Sequence, residues 1–383
     1  MMQRQALIDR ATQLVPQLAH RAAQTEQQRQ IPPETLEALT RAELFRTLVP
    51  RQYGGLGLDY DTVLDICIAL GHGCGSTAWC YGIWMAGTWI IGAYPEQIQK
   101  ECYAQGPDVV ATGGFNPEPG CEVTARPHGY HLSGRWRFGS GCDAAHWAVV
   151  IAPTPQGPAF FLVPRARFTL DDTWYVSGLR GTGSKDLVMD TDVDLEYVLP
   201  IAELREGRTP GQLRSRMASH HLPFFAIISY GLIAPMLGMA YGAVAAFTQS
   251  IKRSSAMRGG DMSHLVGSQM RVAEATLEMA SAHLLMQQKV AALLEQGARQ
   301  HSLTVEERLH SRAIHAYVAT LCVRAVDRLF AASGGRALFD ANPLQRFHRD
   351  IHAASHHATL SWDIVSEQYG RVLLGLEPTY MRF

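Results

Sequence analysis

The sequence predicts an α+β fold, mainly α, in three parts: an N-terminal helical domain over 1–107, a middle β-barrel domain over 108–205 and a C-terminal four-helix bundle over 206–383. Three observations predict it. Apolar residues recur at helical spacing through the first hundred residues, as in LIDRATQLVPQLA and PETLEALTRAELF. Between 108 and 200, short runs rich in Val, Phe, Trp and Tyr are punctuated by turn residues, as in DVVATGGF, HWAVVIAP and AFFLVP. From 215 onward long amphipathic helical patterns return.

In chain order, Pro32-Pro33 suits a helix start, where a missing N–H costs nothing. VPRQYGGLGLDY breaks the helical pattern with three glycines and reads as a loop. A buried helix follows through DTVLDICIALGHGCGSTAWCYGIWMAGTWIIGAY, and Gly71, Gly73 and Gly75 predict a bend or a new helix near Ser76. The middle region reads as a small barrel or sandwich. In the last part IISYGLIAPMLGMAYGAVAAFTQSI, SHLVGSQMRVAEATLEMASAHLLMQQKVAALLEQ, TVEERLHSRAIHAYVATLCVRAVDRLFAA and SHHATLSWDIVSEQYGRVLLG supply four helices, with RSSAMRGGDM as a loop between the first two.

Bulk properties narrow the function. Lys plus Arg total 34 and Asp plus Glu 35, which leaves no basic excess for nucleic acid. No run of eighteen apolar residues predicts a membrane span, and the polar N-terminal stretch lacks the apolar core of a secretory signal. The seven cysteines are scattered without CxxC spacing, as expected for reduced thiols in a cytoplasmic protein.

The most concentrated chemistry lies at 342–358, NPLQRFHRDIHAASHHA, with Gly334-Gly335 just upstream. This stretch resembles the C-terminal signature of the acyl-CoA dehydrogenase fold, and VPRQYGGLGLDY resembles its P-x-x-Y-G-G-x-G loop. The order of helices, strands and bundle is that of the same fold. True dehydrogenases commonly place a catalytic glutamate a few residues beyond the Arg-Asp pair. Here Arg349-Asp350 is followed by His357 and Ala358. The strand GRWRFGSG, 134–141, is similar to the W-x-F-x-S-G form in the flavin-dependent aromatic monooxygenases of that fold, the oxygenase components of two-component systems.

The resemblance implies the following site. Ser140 hydrogen-bonds the central nitrogen of the flavin ring, with Trp136 and Phe138 of the same strand along the cofactor. His357 stands beside the ring and assists the flavin hydroperoxide formed with dioxygen, in a pocket that must exclude water. Arg258, eleven residues before Gln269, and Gly334 with Gly335 help hold the cofactor. Ser184, in VSGLRGTGSKDLVMDTDVDLEYVLP, is structural. Trp79, Trp84, Gly87 and Phe115 belong to the substrate pocket, with Trp89 as a further aromatic of the same helix. Phenol hydroxylases of the group often carry a phenol-deprotonating histidine at the place of Gly87. Either His146, His220 or His221 replaces it, or the substrate is not a phenol.

The same resemblance implies reduced FMN or FAD as cofactor, dioxygen and a small aromatic or heteroaromatic molecule as substrates, and a homotetramer. No G-x-G-x-x-G unit for a nicotinamide is present, so a separate flavin reductase must be the partner. The alternative is an acyl-CoA dehydrogenase or related flavin oxidase with a relocated base. His352 and His356, at i and i+4, have metal-ligand spacing, but no further ligand motif accompanies them and no metal is expected.

Overall fold

The computed structural model describes residues 2–258 and 262–379, and only the backbone of 253–258 and 262. The chain opens with helices α1 (Met2–Gln28) and α2 (Pro33–Arg41), the latter beginning at the prolines as the sequence predicts. The VPRQYGG loop follows. Gly55 is required there because a Cβ would lie 2.0 Å from the Val49 carbonyl oxygen.

Helix α3 (Tyr60–Gly73) ends at an extended Cys74, and α4 (Gly75–Ala93) starts immediately after it, so the glycines do mark a new helix. Helix α4 is apolar all round and almost wholly buried, which makes it the central post of the N-terminal region. Helix α5 (Glu96–Cys102) leads to the strands.

Strands β1 (Ala111–Gly114), β2 (Asn116–Pro117), β3 (Glu122–Arg126), β4 (Gly129–Gly139), β5 (Trp147–Thr154), β6 (Gly157–Pro164), β7 (Phe168–Asp171), β8 (Lys185–Asp194) and β9 (Val198–Pro200) form two sheets. One has the order β1-β5-β6-β9; the other has β2-β4-β8-β7, with β3 also on β4. The strands face each other across a core of Leu132, Trp136, Val150, Phe161, Val163 and Leu187. This is a two-sheet sandwich rather than one closed ring, because the strands pair into two separate ladders.

Short helices α6 (Ile201–Arg205), α7 (Pro210–Arg214) and α8 (Phe224–Ile227) lead into α9 (Tyr230–Arg258), α10 (Val266–Ala298) and α11 (Val305–Ala331). The expected loop at 253–262 is helical as far as Arg258. The segment Phe224–Lys252 is long and apolar enough to cross a membrane, but 83% of its apolar window is buried inside this fold, as befits a core helix.

The fourth bundle helix differs from the sequence reading. Helix α12 (Pro343–Ser355) packs between α9 and α11, and α13 (Trp362–Leu373) packs on α11. The break between them falls at His357, whose side chain accepts from the Thr359 N–H and starts a short 3₁₀ turn. Sequence periodicity ran straight through this break because a histidine cap carries no strong sequence signal.

Candidate active site

Helix α4 positions both sequence-predicted catalytic residues. Near its middle, Trp84 donates from Nε1 to the Gly141 carbonyl at 3.1 Å, next to Ser140. One turn earlier the Trp79 ring lies 6.1 Å from the His357 ring, centroid to centroid. Five residues separate the two tryptophans, about 7.5 Å along the axis.

Ser140 follows a kink in β4. The register against β8 slips between Trp136 and Gly139, and Phe138 takes a left-handed φ of 67°. The kink turns the Phe138 ring outward, 51% exposed and edge-on to Trp174 at 6.1 Å. Ser140 itself is buried. Its Oγ lies 2.7 Å from Ser184 Oγ, and its carbonyl accepts from Thr112 Oγ1 at 2.9 Å. Ser184 therefore does more than shape a turn. Trp136 points the other way, into the sandwich core, where its Nε1 donates to the Ile151 carbonyl at 2.9 Å. It supports the strand and presents no side-chain surface to a ligand.

His357 Nδ1 accepts from the Thr359 N–H at 3.3 Å and lies 2.9 Å from Thr359 Oγ1, an arrangement that favours the neutral tautomer with its proton on Nε2. Burial, with the Arg312 guanidinium as a second cause, lowers the imidazole pKa to about 4. At neutral pH this residue is an uncharged donor through Nε2. Sequence reasoning missed His315 and Arg312, three residues apart on α11 and both buried. Burial holds His315 neutral. Its Nε2 donates to the Ser229 carbonyl, and its Nδ1 has no hydrogen-bond partner. The signal that could have found the pair is two basic residues one turn apart within a core helix.

The Arg-Asp pair is architectural. Arg349 donates to the Ser177 carbonyl at 2.7 Å and pairs with Glu26 of α1. Asp350 accepts from the Leu179 N–H at 2.7 Å, and burial raises its carboxyl to about 6.

The proposed pocket residues divide. Trp84 and Trp89 are fully buried struts; Trp89 donates to Ser219 Oγ. Ile83 is the least buried residue of α4, and Trp79 and Ala86, at helical spacing on the same face, are buried. Phe115 lies farther along the helix, in a cluster with Phe160 at 5.3 Å and Phe224 at 6.1 Å. Gly87 faces β1, where a Cβ would sit 2.5 Å from the Ala111 carbonyl oxygen. No side chain fits there, so the missing histidine is a packing consequence.

The suggested substitutes are engaged elsewhere. His220 is buried with Nε2 on the Trp89 carbonyl and Nδ1 on Ser215, His146 Nδ1 accepts from the Val110 N–H, and His221 contacts the Ser215 carbonyl. His220 also borders a cavity of about 640 Å³ between the VPRQYGG loop and residues 211–217, which contains none of the predicted catalytic residues. Gly334, with φ of 62°, and Gly335 form the turn before α12, and open space surrounds both. The Arg258 side chain lies outside the described residues. His352 does not pair with His356, whose Nδ1 lies on the His352 carbonyl, but His352, His348 and Asp327 of α11 bring three possible metal-ligand atoms within 4.8 Å of one another, a grouping the sequence did not predict.

These residues fit a flavin. Ser140 has lone-pair capacity beyond its bond to Ser184, and Phe138 offers an exposed ring beside it.

Residues 3–106 match the family Acyl-CoA dehydrogenase, N-terminal domain, and residues 230–362 match Acyl-CoA dehydrogenase, C-terminal domain. The FADH(2)-dependent resorcinol hydroxylase oxygenase component of Rhizobium sp. (strain MTP-10005) is 34% identical over 93% of this chain and 91% of its own. The crystal structure of a 3-HSA hydroxylase from Rhodococcus sp. RHA1 superimposes with a TM-score of 0.92 at 30% identity, covering 98% of both chains. XiaF from Streptomyces sp., in complex with FADH2 and glycerol, gives 0.86 at 25% identity over 99% of this chain and 97% of that one. With a relative 34% identical across nearly the whole of both chains, the chain belongs to the flavin-dependent monooxygenase oxygenase components of the acyl-CoA dehydrogenase fold.

Proposed function

We propose that this chain hydroxylates a flat aromatic or heteroaromatic molecule, with Ser140 and His357 flanking the flavin ring and Trp79, Ile83 and Ala86 facing the substrate. The observation that carries this reading is the double attachment of α4, through Trp84 to the Ser140 turn and through Trp79 to His357. When bound, reduced FMN or FAD from a separate reductase supplies the electrons that activate dioxygen. The chain's own residues do the rest. His357 donates a hydrogen bond from Nε2 to developing negative charge, and its neutrality keeps a stray proton out of the site. The apolar stripe on α4 excludes water, which limits loss of hydrogen peroxide.

A phenol-deprotonating base is not among the residues near Gly87 described above, which favours a substrate that reacts without one. Gly334, Gly335 and Arg258 remain our candidates for holding the rest of the cofactor. The domain limits 1–107, 108–205 and 206–383 are supported by the confinement of strands to residues 111–200.

A homotetramer is supported by α10. Val266, Met270, Ala273, Leu277, Ala280 and Leu284 repeat at alternating steps of four and three and are all exposed in the single chain. The buried side of the helix uses a different set, including Ala275, Met279, Ala282 and Met286. A second apolar seam of this length calls for a second copy. We place the chain in the cytoplasm, in line with its free cysteines.

The test is isotopic. A panel of phenols and indoles is incubated with the chain, chemically reduced FMN or FAD, and ¹⁸O₂. One labelled oxygen in a ring-hydroxylated product supports the reading. Oxidation of an acyl-CoA thioester with no label in any aromatic would overturn it.

A further inference from the structure

Ser140 stands at the end of a line of hydroxyls. Its Oγ is 2.7 Å from Ser184 Oγ, which is 2.6 Å from Thr182 Oγ1, which is 2.8 Å from the Leu179 carbonyl oxygen. All three side chains are buried. The line is anchored at its far end. The Leu179 N–H donates to Asp350 of α12, and its carbonyl also accepts from Trp174 Nε1 and the Thr182 N–H. Leu179 has a left-handed φ of 51°, which these bonds hold in place.

A count of protons fixes the direction of this line. There are three oxygen–oxygen contacts and three hydroxyl protons. A carbonyl can only accept, so the contact to Leu179 must take the Thr182 proton. Thr182 then accepts from Ser184, and Ser184 accepts from Ser140. Every contact holds one proton. The reverse direction would leave the Thr182 hydroxyl oxygen and the Leu179 carbonyl oxygen 2.8 Å apart with no proton between them, although that carbonyl keeps its bonds from Trp174 Nε1 and the Thr182 N–H. The Ser140 proton is thus committed inward, and only lone pairs of its oxygen face outward.

We infer that Thr182 and Ser184 are positioning residues that make Ser140 an obligate acceptor, so that the site selects the reduced flavin over the oxidised one. This rests on the reading that Ser140 meets the central ring nitrogen. That nitrogen carries a hydrogen in reduced flavin and can donate to Ser140. In oxidised flavin it carries none, and two acceptors face each other unless the whole line reverses at the loss of one hydrogen bond. An oxygenase that takes its flavin from a separate reductase benefits from this choice, because spent cofactor is released and reduced cofactor retained.

The test is binding under anaerobic conditions. The dissociation constants of reduced and oxidised FMN, and in parallel FAD, are measured with the full-length chain and four variants. Thr182→Val and Ser184→Ala each free one proton for Ser140, so the preference for reduced flavin falls about 3- to 10-fold, the worth of one hydrogen bond. Thr182→Ser restores the line and keeps the wild-type preference. Ser140→Ala loses the preference as well. If Ser140→Ala lowers the ratio while Thr182→Val and Ser184→Ala leave it unchanged, the inference is overturned and the Ser140 reading stands. If Ser140→Ala leaves the ratio unchanged, the Ser140 reading itself falls. The midpoint potential of bound flavin, which tracks the same ratio, gives a second readout.

Discussion

Phe138 holds a left-handed backbone conformation that costs a bulky residue on the order of 1–3 kcal/mol. The surroundings hold that strain, and the result is a buried serine beside an exposed ring. The residue types at this point were legible in the sequence; the kink and the hydroxyl line were not, because they join Ser140 to residues some forty positions away. His357 was legible by its place after Arg349-Asp350, but its protonation state was not, since burial and Arg312 set it. Titration of selectively labelled histidine should place the His357 midpoint near 4 instead of the usual 6.5. A midpoint at 6.5 would remove the neutral donor from the account. Ile83 was invisible to sequence reasoning because it is one more apolar residue on an apolar helix. Ile83→Trp should crowd that face of α4 and raise KM for the aromatic substrate at least about tenfold, while the affinity for reduced flavin stays near wild type.

At the scale of elements, α4 does most to assemble the site. Its start after Cys74 was legible from the glycines, whereas its tight contact with β1 through Gly87 was not, since that depends on Ala111. Gly87→Ala should destabilise the chain by about 1–2 kcal/mol, because the clash with the Ala111 backbone outweighs the gain in helix propensity. Gly87→His should cost more and create no phenol base. Thermal unfolding measures the first, and a phenol-hydroxylation assay the second; a stable Gly87→His variant with new phenol activity would contradict the packing account. The α12–α13 break shows the opposite limit: amphipathic periodicity continued through it, while α12 ends with His356 as its C-cap and the His357 side chain caps the short turn that follows.

At the scale of the molecule, the three-part order was legible from the change of period along the chain, and the exposed α10 seam became visible only once the buried face was known. Leu277→Glu combined with Leu284→Glu should break the proposed oligomer without unfolding the single chain. Mass photometry would show this as a shift to smaller species, and an unchanged mass would rule out the seam as the interface. Stability should also fall with acid. Burial lowers the pKa of His220 and His357 to about 4, and lowers those of His72, His146, His283, His310, His315 and His348 as well. Those imidazoles bind protons near 6.5 when unfolded, so between 6.5 and about 4 the unfolded chain takes up more protons and stability declines. His131 between Asp190 and Asp192, buried Asp350 with a carboxyl raised to about 6, and Asp61 and Asp65, whose carboxyls burial also raises, act in the opposite sense. The larger number of depressed imidazoles decides the direction, and Tm should drop from pH 7 to pH 5.

The central claim is that Ser140 and His357 together keep activated oxygen on the path to product. Its most direct test is rapid mixing of oxygen with the chain already loaded with reduced flavin, while hydrogen peroxide release is followed in the absence of substrate. The wild-type chain should release peroxide slowly, and His357→Ala and Ser140→Ala should each accelerate release at least about tenfold. Release from both variants at the wild-type rate would contradict the account.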